Sequence, residues 1–277
     1  MLNGFEIDSI ITAALKEDLA LGDITTDNLI DSSCTAKAFF IAKQPGIIAG
    51  MDISKRAFEL LDGGVKFRKN IEDGAAVENG DIIAEIDGNA RALLKSERTA
   101  LNFLQRLSGI ATRTSEFCSK VKDLPVRIVD TRKTTPCLRF LEKYAVKVGG
   151  GHNHRFCLSD GVLIKDNHIK AAGGIKNAVQ LARKNVPHTI KIEVEVEKLE
   201  QVKEALECGA EIIMLDNMNA EMMKEAVKLI NKRAIVEASG NVSIENVYDV
   251  ACTGVDIISI GSLTHSVKAF DISMKIL

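Results

Sequence analysis

The chain has 277 residues, 46% of them hydrophobic, with 36 basic against 38 acidic side chains and a formal charge of −2. That length accommodates one large barrel domain or a barrel with a smaller partner, and the near-neutral balance provides no global attraction to nucleic acid or an anionic membrane. With no Trp, two Tyr and ten Phe, it also lacks the stacking platforms used to bind single-stranded nucleic acid.

The opening MLNGFEIDSIITAALKEDL has no basic start and no long apolar core, so it is not read as a secretory signal. Its Ile7, Ile10, Ile11, Ala14 and Leu15 predict one face of an amphipathic helix. No stretch is long and apolar enough to span a bilayer. The cysteines (34, 118, 137, 157, 208 and 252) are scattered without a CxxC pair, which argues against a zinc site or a disulfide framework and suits a reducing cytoplasm. Segment 36–42 predicts a strand closed by Pro45-Gly46. Residues 82–86 predict another, between Asn79-Gly80 and Asp87-Gly88, two hairpin signals. A helix starting near Ser96 carries Arg98, Asn102 and Gln105 as a polar stripe, by default an exposed face. Residues 1–107 thus read as an α+β domain.

From about residue 125, within a second segment taken as 108–265, apolar strands alternate with amphipathic helices. Strands are expected at Val126–Val129, Val162–Ile164, Thr189–Val194, Glu211–Leu215, Ala234–Val236 and Asp256–Ile260. Helices are expected at 197–208 and 219–231. Strand–helix–strand alternation with short links implies parallel strands and right-handed crossovers, and six or seven strands suit a barrel better than an open sheet. Neither a Gly-x-Gly-x-x-Gly opening a helix nor a GxxxxGK[ST] loop is present, which disfavours a dinucleotide-binding sheet.

In a parallel barrel the active site collects at the C-terminal strand ends. Here those ends carry Asp130-Thr131-Arg132-Lys133, Lys165-Asp166-Asn167-His168, Asp216-Asn217, Glu237-Ala238-Ser239-Gly240 and Gly261-Ser262. Glu193 and Glu195 lie two apart, hence on one face of their strand; turned inward, they need a cation, a metal or ligand hydroxyls to offset desolvation. The run Gly149-Gly150-Gly151-His152-Asn153-His154-Arg155 joins glycines to an arginine fork, a combination suited to an anion. As a zinc pair, His152 and His154 are poorly spaced and have no cysteine nearby. Together Arg98, Arg132, Lys133, His154, Arg155 and Lys165, set against Glu193, Glu195 and Asp216, imply a polyanionic, phosphorylated small molecule. The residues alone do not name the reaction.

At DTRKTTP, GGGHNHR and LIKDNHI, and also at ERTALNFLQRLSGIAT, IEVEVEKLEQ, IIMLDN, VEASGN and GVDIISIGSLTHS, the chain resembles the quinolinate phosphoribosyltransferases over nearly its whole length. The resemblance implies an N-terminal α/β domain joined by the C-terminal residues 266–277, and a seven-stranded parallel α/β-barrel. It implies condensation of quinolinate with phosphoribosyl pyrophosphate, with Mg²⁺, to nicotinate mononucleotide, CO₂ and pyrophosphate, in NAD biosynthesis. By motif position Arg132, His154, Arg155 and Lys165 would bind the quinolinate carboxylates, and Lys133 and Lys165 would reach the phosphoribosyl donor. Glu195 and Asp216 would face ribose hydroxyls and metal, while Ser239, Gly240, Asn241 and Gly261 would form the 5′-phosphate loops. The family works as homodimers, in some members joined into hexamers, and Arg98 would then enter the neighbouring subunit's site.

Two positions depart from the family pattern: Cys137 and Asn241 stand where glycine is usual. Asn tolerates the left-handed region, whereas Cys137 puts the path of its turn in question if φ is positive there. Other readings are a paralogous phosphoribosyltransferase of the molybdenum-locus type with another acceptor, a Schiff-base barrel lyase using Lys165 or Lys133, and a non-catalytic anion-binding protein.

Overall fold

The computed structural model describes residues 4–277, which fall into two compact units. In chain order the elements are α1 (Gly4–Asp18), α2 (Ile24–Leu29), β1 (Thr35–Ala42), β2 (Gly46–Ile47), α3 (Met51–Leu61), β3 (Lys66–Lys69), β4 (Ala76–Val77), β5 (Ile82–Asn89) and α4 (Ala90–Lys120). Then come β6 (Arg127–Val129), α5 (Arg139–Val148), β7 (Val162–Ile164), α6 (Asp166–Ala172), α7 (Ile175–Asn185), β8 (Ile192–Val196) and α8 (Leu199–Glu207). The chain closes with β9 (Ile212–Asp216), α9 (Ala220–Ile230), β10 (Ile235–Ser239), α10 (Val247–Ala251), β11 (Ile257–Ser259), α11 (Ser262–His265) and β12 (Ile272–Ile276).

The first unit contains the residues up to Ser115 together with Thr134–Gly150 and Ser266–Leu277. Its sheet runs β12-β1-β5-β3, all antiparallel, so the C-terminal strand lies beside the first one with Ala38 opposite Ile276. Alternation along β1 buries Ala38, Phe40 and Ala42, and the Phe40 ring meets Phe58 and Phe67 at centroid distances of 6.0 Å. Asp87-Gly88 does not make the expected hairpin turn. It lies inside β5, where a Cβ on Gly88 would come within 2.9 Å of Val65. Helix α4 starts at Ala90 rather than near Ser96, because the Asn89 side chain accepts from the amides of Arg91 and Ala92 and so caps it earlier. The polar stripe is only partly an exposed face: Arg98 and Asn102 are exposed, but the Gln105 amide donates to the Ile272 carbonyl at 2.7 Å.

The second unit comprises Glu116–Lys133 and Gly151–His265. Its strands are all parallel in the order β6-β11-β10-β9-β8-β7, so the first strand pairs with the last, as in a barrel. On the other side of β6 an isolated parallel bridge joins Val129 to His152. The seventh strand of the expected barrel is thus one bridged residue beside six hydrogen-bonded strands. Strand β8 begins at Ile192, three residues after the expected Thr189, and its Ile192, Val194 and Val196 are at most 1% exposed. Among the described residues no helix is long and apolar enough to cross a membrane.

Candidate active site

A cavity of about 820 Å³ lies at the C-terminal ends of the parallel strands. Thr131, Arg132 and Lys133 follow β6, Lys165 follows β7, Glu195 lies in β8, and Asp216-Asn217 end β9. Ser239, Gly240 and Asn241 end β10, and Gly261-Ser262 follow β11; His154 and Arg155 come from the segment after the His152 bridge. Of the residues singled out in sequence, Arg132, Lys133, His154, Arg155, Lys165, Glu195, Asp216, Ser239, Gly240, Asn241 and Gly261 line this one space. Arg98 belongs to the first unit, where it sits exposed on α4.

Lys165 is ion-paired with Glu195 in a short contact, and its backbone N–H donates to His168 Nδ1 at 3.0 Å. The side chain therefore starts from a fixed N-cap of α6 and reaches across to β8. Lys133 is held from both sides of its backbone: its N–H donates to Thr131 Oγ1 at 3.0 Å and its carbonyl accepts from Thr264 Oγ1 at 2.8 Å. Arg155 Nη1 donates to the Gly161 carbonyl at 2.9 Å, while its Nε is buried with no protein partner. Burial and the neighbouring charge of Arg132 both lower the Arg155 pKa, so the two guanidiniums are close enough to repel and together attract an anion.

The loops after β9 and β10 are built from left-handed turns. Gly240 has φ +88, Asn241 φ +52 and Asn217 φ +54. A Cβ on Gly240 would meet Asn217 Oδ1 at 2.2 Å, so only glycine fits there. Asn217 joins the loops, its Nδ2 donating to Asp216 Oδ2 and its Oδ1 accepting from Asn241 Nδ2, both at 2.9 Å. Asn241 adopts the left-handed conformation expected of a glycine substitute. Cys137 takes it as well, at φ +64, so that turn keeps its path at some cost in strain.

Glu193 was counted among the acids of the site from the sequence, whereas Glu237 was noted at a strand end without a role there. They are 4% and 1% exposed, and His154 Nε2 lies 3.3 Å from Glu193 Oε2 and 3.5 Å from Glu237 Oε1. The longer contact is too stretched for a good hydrogen bond and acts as charge pairing. Burial disfavours a charged imidazole, but the two carboxylates outweigh it and push the His154 group up to about 10. Burial also pushes the Glu193 carboxyl up; the His154 contact opposes this and the Glu237 charge adds to it. The Arg155 amide donates to His154 Nδ1 at 2.7 Å, and the Nε2 edge of the ring is turned to the carboxylates. No sequence signal pairs Glu237 with Glu193, since their strands are separated by β9.

Two groups could meet a metal. His154, Glu193 and Glu237 bring ligand-type atoms within 4.8 Å of one another, with His154 Nε2 3.3 Å from Glu193 Oε2, while Glu193 Oε1 and Glu237 Oε1 are buried without a hydrogen-bond partner. Glu195 and Asp216 offer oxygen donors at the cavity wall, one paired with Lys165 and the other accepting from Asn217. So sparse an oxygen set suits Mg²⁺ shared with substrate phosphates better than an ion held by protein alone.

Profiles of two domains match the sequence: quinolinate phosphoribosyl transferase, N-terminal domain, over residues 23–108, and its C-terminal domain over residues 110–275. A probable nicotinate-nucleotide pyrophosphorylase [carboxylating] of Bacillus subtilis is 45% identical over 276 residues, covering 99% of this chain and 95% of that protein. The corresponding probable enzyme of Methanocaldococcus jannaschii is 46% identical over 96% of both chains. The crystal structure of NadC from Streptococcus pyogenes superposes with a TM-score of 0.96 at 45% identity, over 99% of this chain and 97% of that one. Both domain profiles fit in order and full-length relatives share nearly half their residues, so the chain belongs to the quinolinate phosphoribosyl transferase family.

Proposed function

We propose that this chain condenses quinolinate with phosphoribosyl pyrophosphate, releasing pyrophosphate and CO₂ and yielding nicotinate mononucleotide, in the biosynthesis of NAD. One observation carries this reading: Arg132, Lys133, Arg155 and Lys165 converge on one strand-end cavity whose other wall is Glu195, Asp216 and the Ser239–Asn241 loop. A dicarboxylate and a phosphorylated sugar fit those two walls. Arg132 and Arg155 would grip the carboxylates and hold the pyridine nitrogen against the anomeric carbon, which removes an entropic barrier. Lys133 and Lys165 would stabilise the departing diphosphate. Glu195 and Asp216 would take the ribose hydroxyls; they would also hold Mg²⁺, which would neutralise diphosphate charge there. Once its nitrogen is alkylated, the ring is cationic and stabilises the electron pair that CO₂ leaves on the adjacent carbon, which then takes a proton from solvent, so the side chains chiefly orient the carboxylates.

Purified protein with quinolinate, phosphoribosyl pyrophosphate and Mg²⁺ is expected to form nicotinate mononucleotide and CO₂, while nicotinate gives no product. Turnover of nicotinate but not of quinolinate would sink the proposal. We further propose a homodimer with shared sites, since Arg98 is exposed on α4 and the family resemblance takes it into a neighbouring subunit's site. Mixing Arg98→Ala and Lys165→Ala chains should then restore part of the activity, and failure to do so despite subunit exchange would refute site sharing. The cytoplasm is the proposed compartment, consistent with six unpaired cysteines.

A further inference from the structure

Asp130 follows the last residue of β6 and precedes Thr131-Arg132-Lys133, and it is wholly buried. A carboxylate is taken out of water at that depth only where donors meet it. Two of those donors come from the segment that carries His154 and Arg155. Asp130 Oδ2 accepts from Asn153 Nδ2 at 2.6 Å, and Oδ1 accepts from the His154 backbone N–H at 2.9 Å. On its β11 side β6 is paired along its whole length, out to the Ile260 N–H that donates to the Val129 carbonyl. On the other side the ladder is one bridge long. The His152 N–H donates to the Ile128 carbonyl at 2.9 Å, and the Asp130 N–H donates to the His152 carbonyl at 3.2 Å. Where that short ladder stops, the Asp130 side chain takes over and holds the next two residues. Arg132 lies two residues beyond Asp130 and Arg155 two beyond Asn153, and both line the strand-end cavity.

We propose that Asp130 is a positioning residue whose carboxylate splices the Asn153–Arg155 segment onto the end of β6 and so sets the spacing between Arg132 and Arg155. Its length, not its charge, is what the site uses. A bare negative charge behind a wall that grips carboxylates would weaken the grip, and here both oxygens are turned onto N–H groups of the neighbouring segment. Lys133 is anchored separately, by Thr131 Oγ1 at its N–H and Thr264 Oγ1 at its carbonyl, so the donor wall does not depend on the splice. The splice stands on geometry alone; its consequence for quinolinate rests on the function proposed above.

Length and charge are separable at this position. Asp130→Asn keeps the length: its carbonyl oxygen still accepts the His154 amide, and the Asn153 amide turns over to offer its own oxygen to the new Nδ2. Asp130→Glu keeps the charge but is one methylene longer, so it pushes the segment away from β6. Calorimetry should find quinolinate bound roughly ten- to a hundredfold more weakly by Asp130→Glu but within about threefold of wild type by Asp130→Asn. Affinity for phosphoribosyl pyrophosphate should be unmoved in both. Equal quinolinate losses, the reverse order, no loss in either variant, or a parallel fall in donor affinity would overturn the proposal. Amide hydrogen exchange reads the splice without a ligand. The His154 N–H should be protected in wild type and in Asp130→Asn, and should exchange faster in Asp130→Glu. An unprotected His154 N–H in wild type would also overturn it. Should either Asp130 variant fail to fold, Asn153→Ala removes one of the two bonds from an exposed residue; it should speed exchange at His154 and weaken quinolinate by about three- to tenfold, and no change in either would count against the splice. If wild type bound no quinolinate, the proposed function would fail while exchange at His154 still decided the splice.

Discussion

Gly240→Ala isolates the loop proposed to take the donor's phosphate. At φ +88 an alanine costs about 1–2 kcal/mol in backbone strain. Its Cβ would also stand 2.2 Å from Asn217 Oδ1 and 3.0 Å from the Asn217 backbone nitrogen, so Asn217 has to move. That movement breaks the two 2.9 Å hydrogen bonds by which Asn217 ties Asp216 to Asn241, at about 0.5–1 kcal/mol each for partly exposed groups. The sum, about 2–4 kcal/mol, corresponds to roughly thirty- to a thousandfold weaker binding if it falls on the loop's ligand. Calorimetry with phosphoribosyl pyrophosphate measures the loss, and quinolinate affinity should stay within about threefold because its proposed wall is built on other strands. Gly209→Ala is the control. It has φ +77 but open space around a new Cβ, so it incurs strain without a clash and should lower stability by about 1 kcal/mol while leaving both affinities alone. Donor affinity unchanged in Gly240→Ala, or equally reduced in Gly209→Ala, would refute the reasoning.

Cys137→Gly should raise stability by about 0.5–1 kcal/mol in urea unfolding, because the exposed thiol contributes little packing and the strain at φ +64 disappears; a loss would show that Cys137 packs where it looks exposed. Arg106→Leu should cost about 3 kcal/mol, since the Glu142 carboxylate, 0% exposed, loses a guanidinium partner whose Nε stands 2.7 Å away. The double variant Arg106→Leu/Glu142→Leu should recover most of that loss; a double variant less stable than the single one would contradict the buried-charge account. For pH, His154 is raised in the folded chain, so its contribution is fully present below the unfolded imidazole's ordinary value of about 6.5 and is lost as pH rises towards about 10. Urea midpoints should therefore fall between pH 6.5 and 9.5 more steeply in wild type than in His154→Gln. Parallel slopes would show that the fold does not hold His154 protonated.

The site was legible from sequence to the extent that it depended on strand direction. Parallel strands put all their C-terminal ends on one side, so polar residues following apolar runs converge whatever the curvature of the sheet. That is how Arg132, Lys165, Asp216 and Gly261 could be grouped without coordinates. Local conformation was legible where one residue type decides it, as at Asn241, whose positive φ follows from the turn chemistry of its loop. Asp87-Gly88 failed the same logic because Gly88 answers a packing demand from Val65, not a turn, and a dipeptide cannot distinguish the two. The trio of His154, Glu193 and Glu237 was out of reach for another reason. Period-two spacing placed Glu193 and Glu195 on one face but could not rank their depths, and the depth decides their chemistry: Glu193 is buried on an imidazole while Glu195 meets Lys165 at the cavity wall. Depth comes from how closely β10 and the His152 segment approach β8 across the interior, a property of closure rather than of any strand. The charges in this site thus divide by layer: glutamates turned onto His154 inside, cations and Glu195 at the wall. That layering lets a cavity proposed to take polyanions carry Glu195, Asp216 and Glu237 in its lining, with Glu193 behind them, without repelling its ligands.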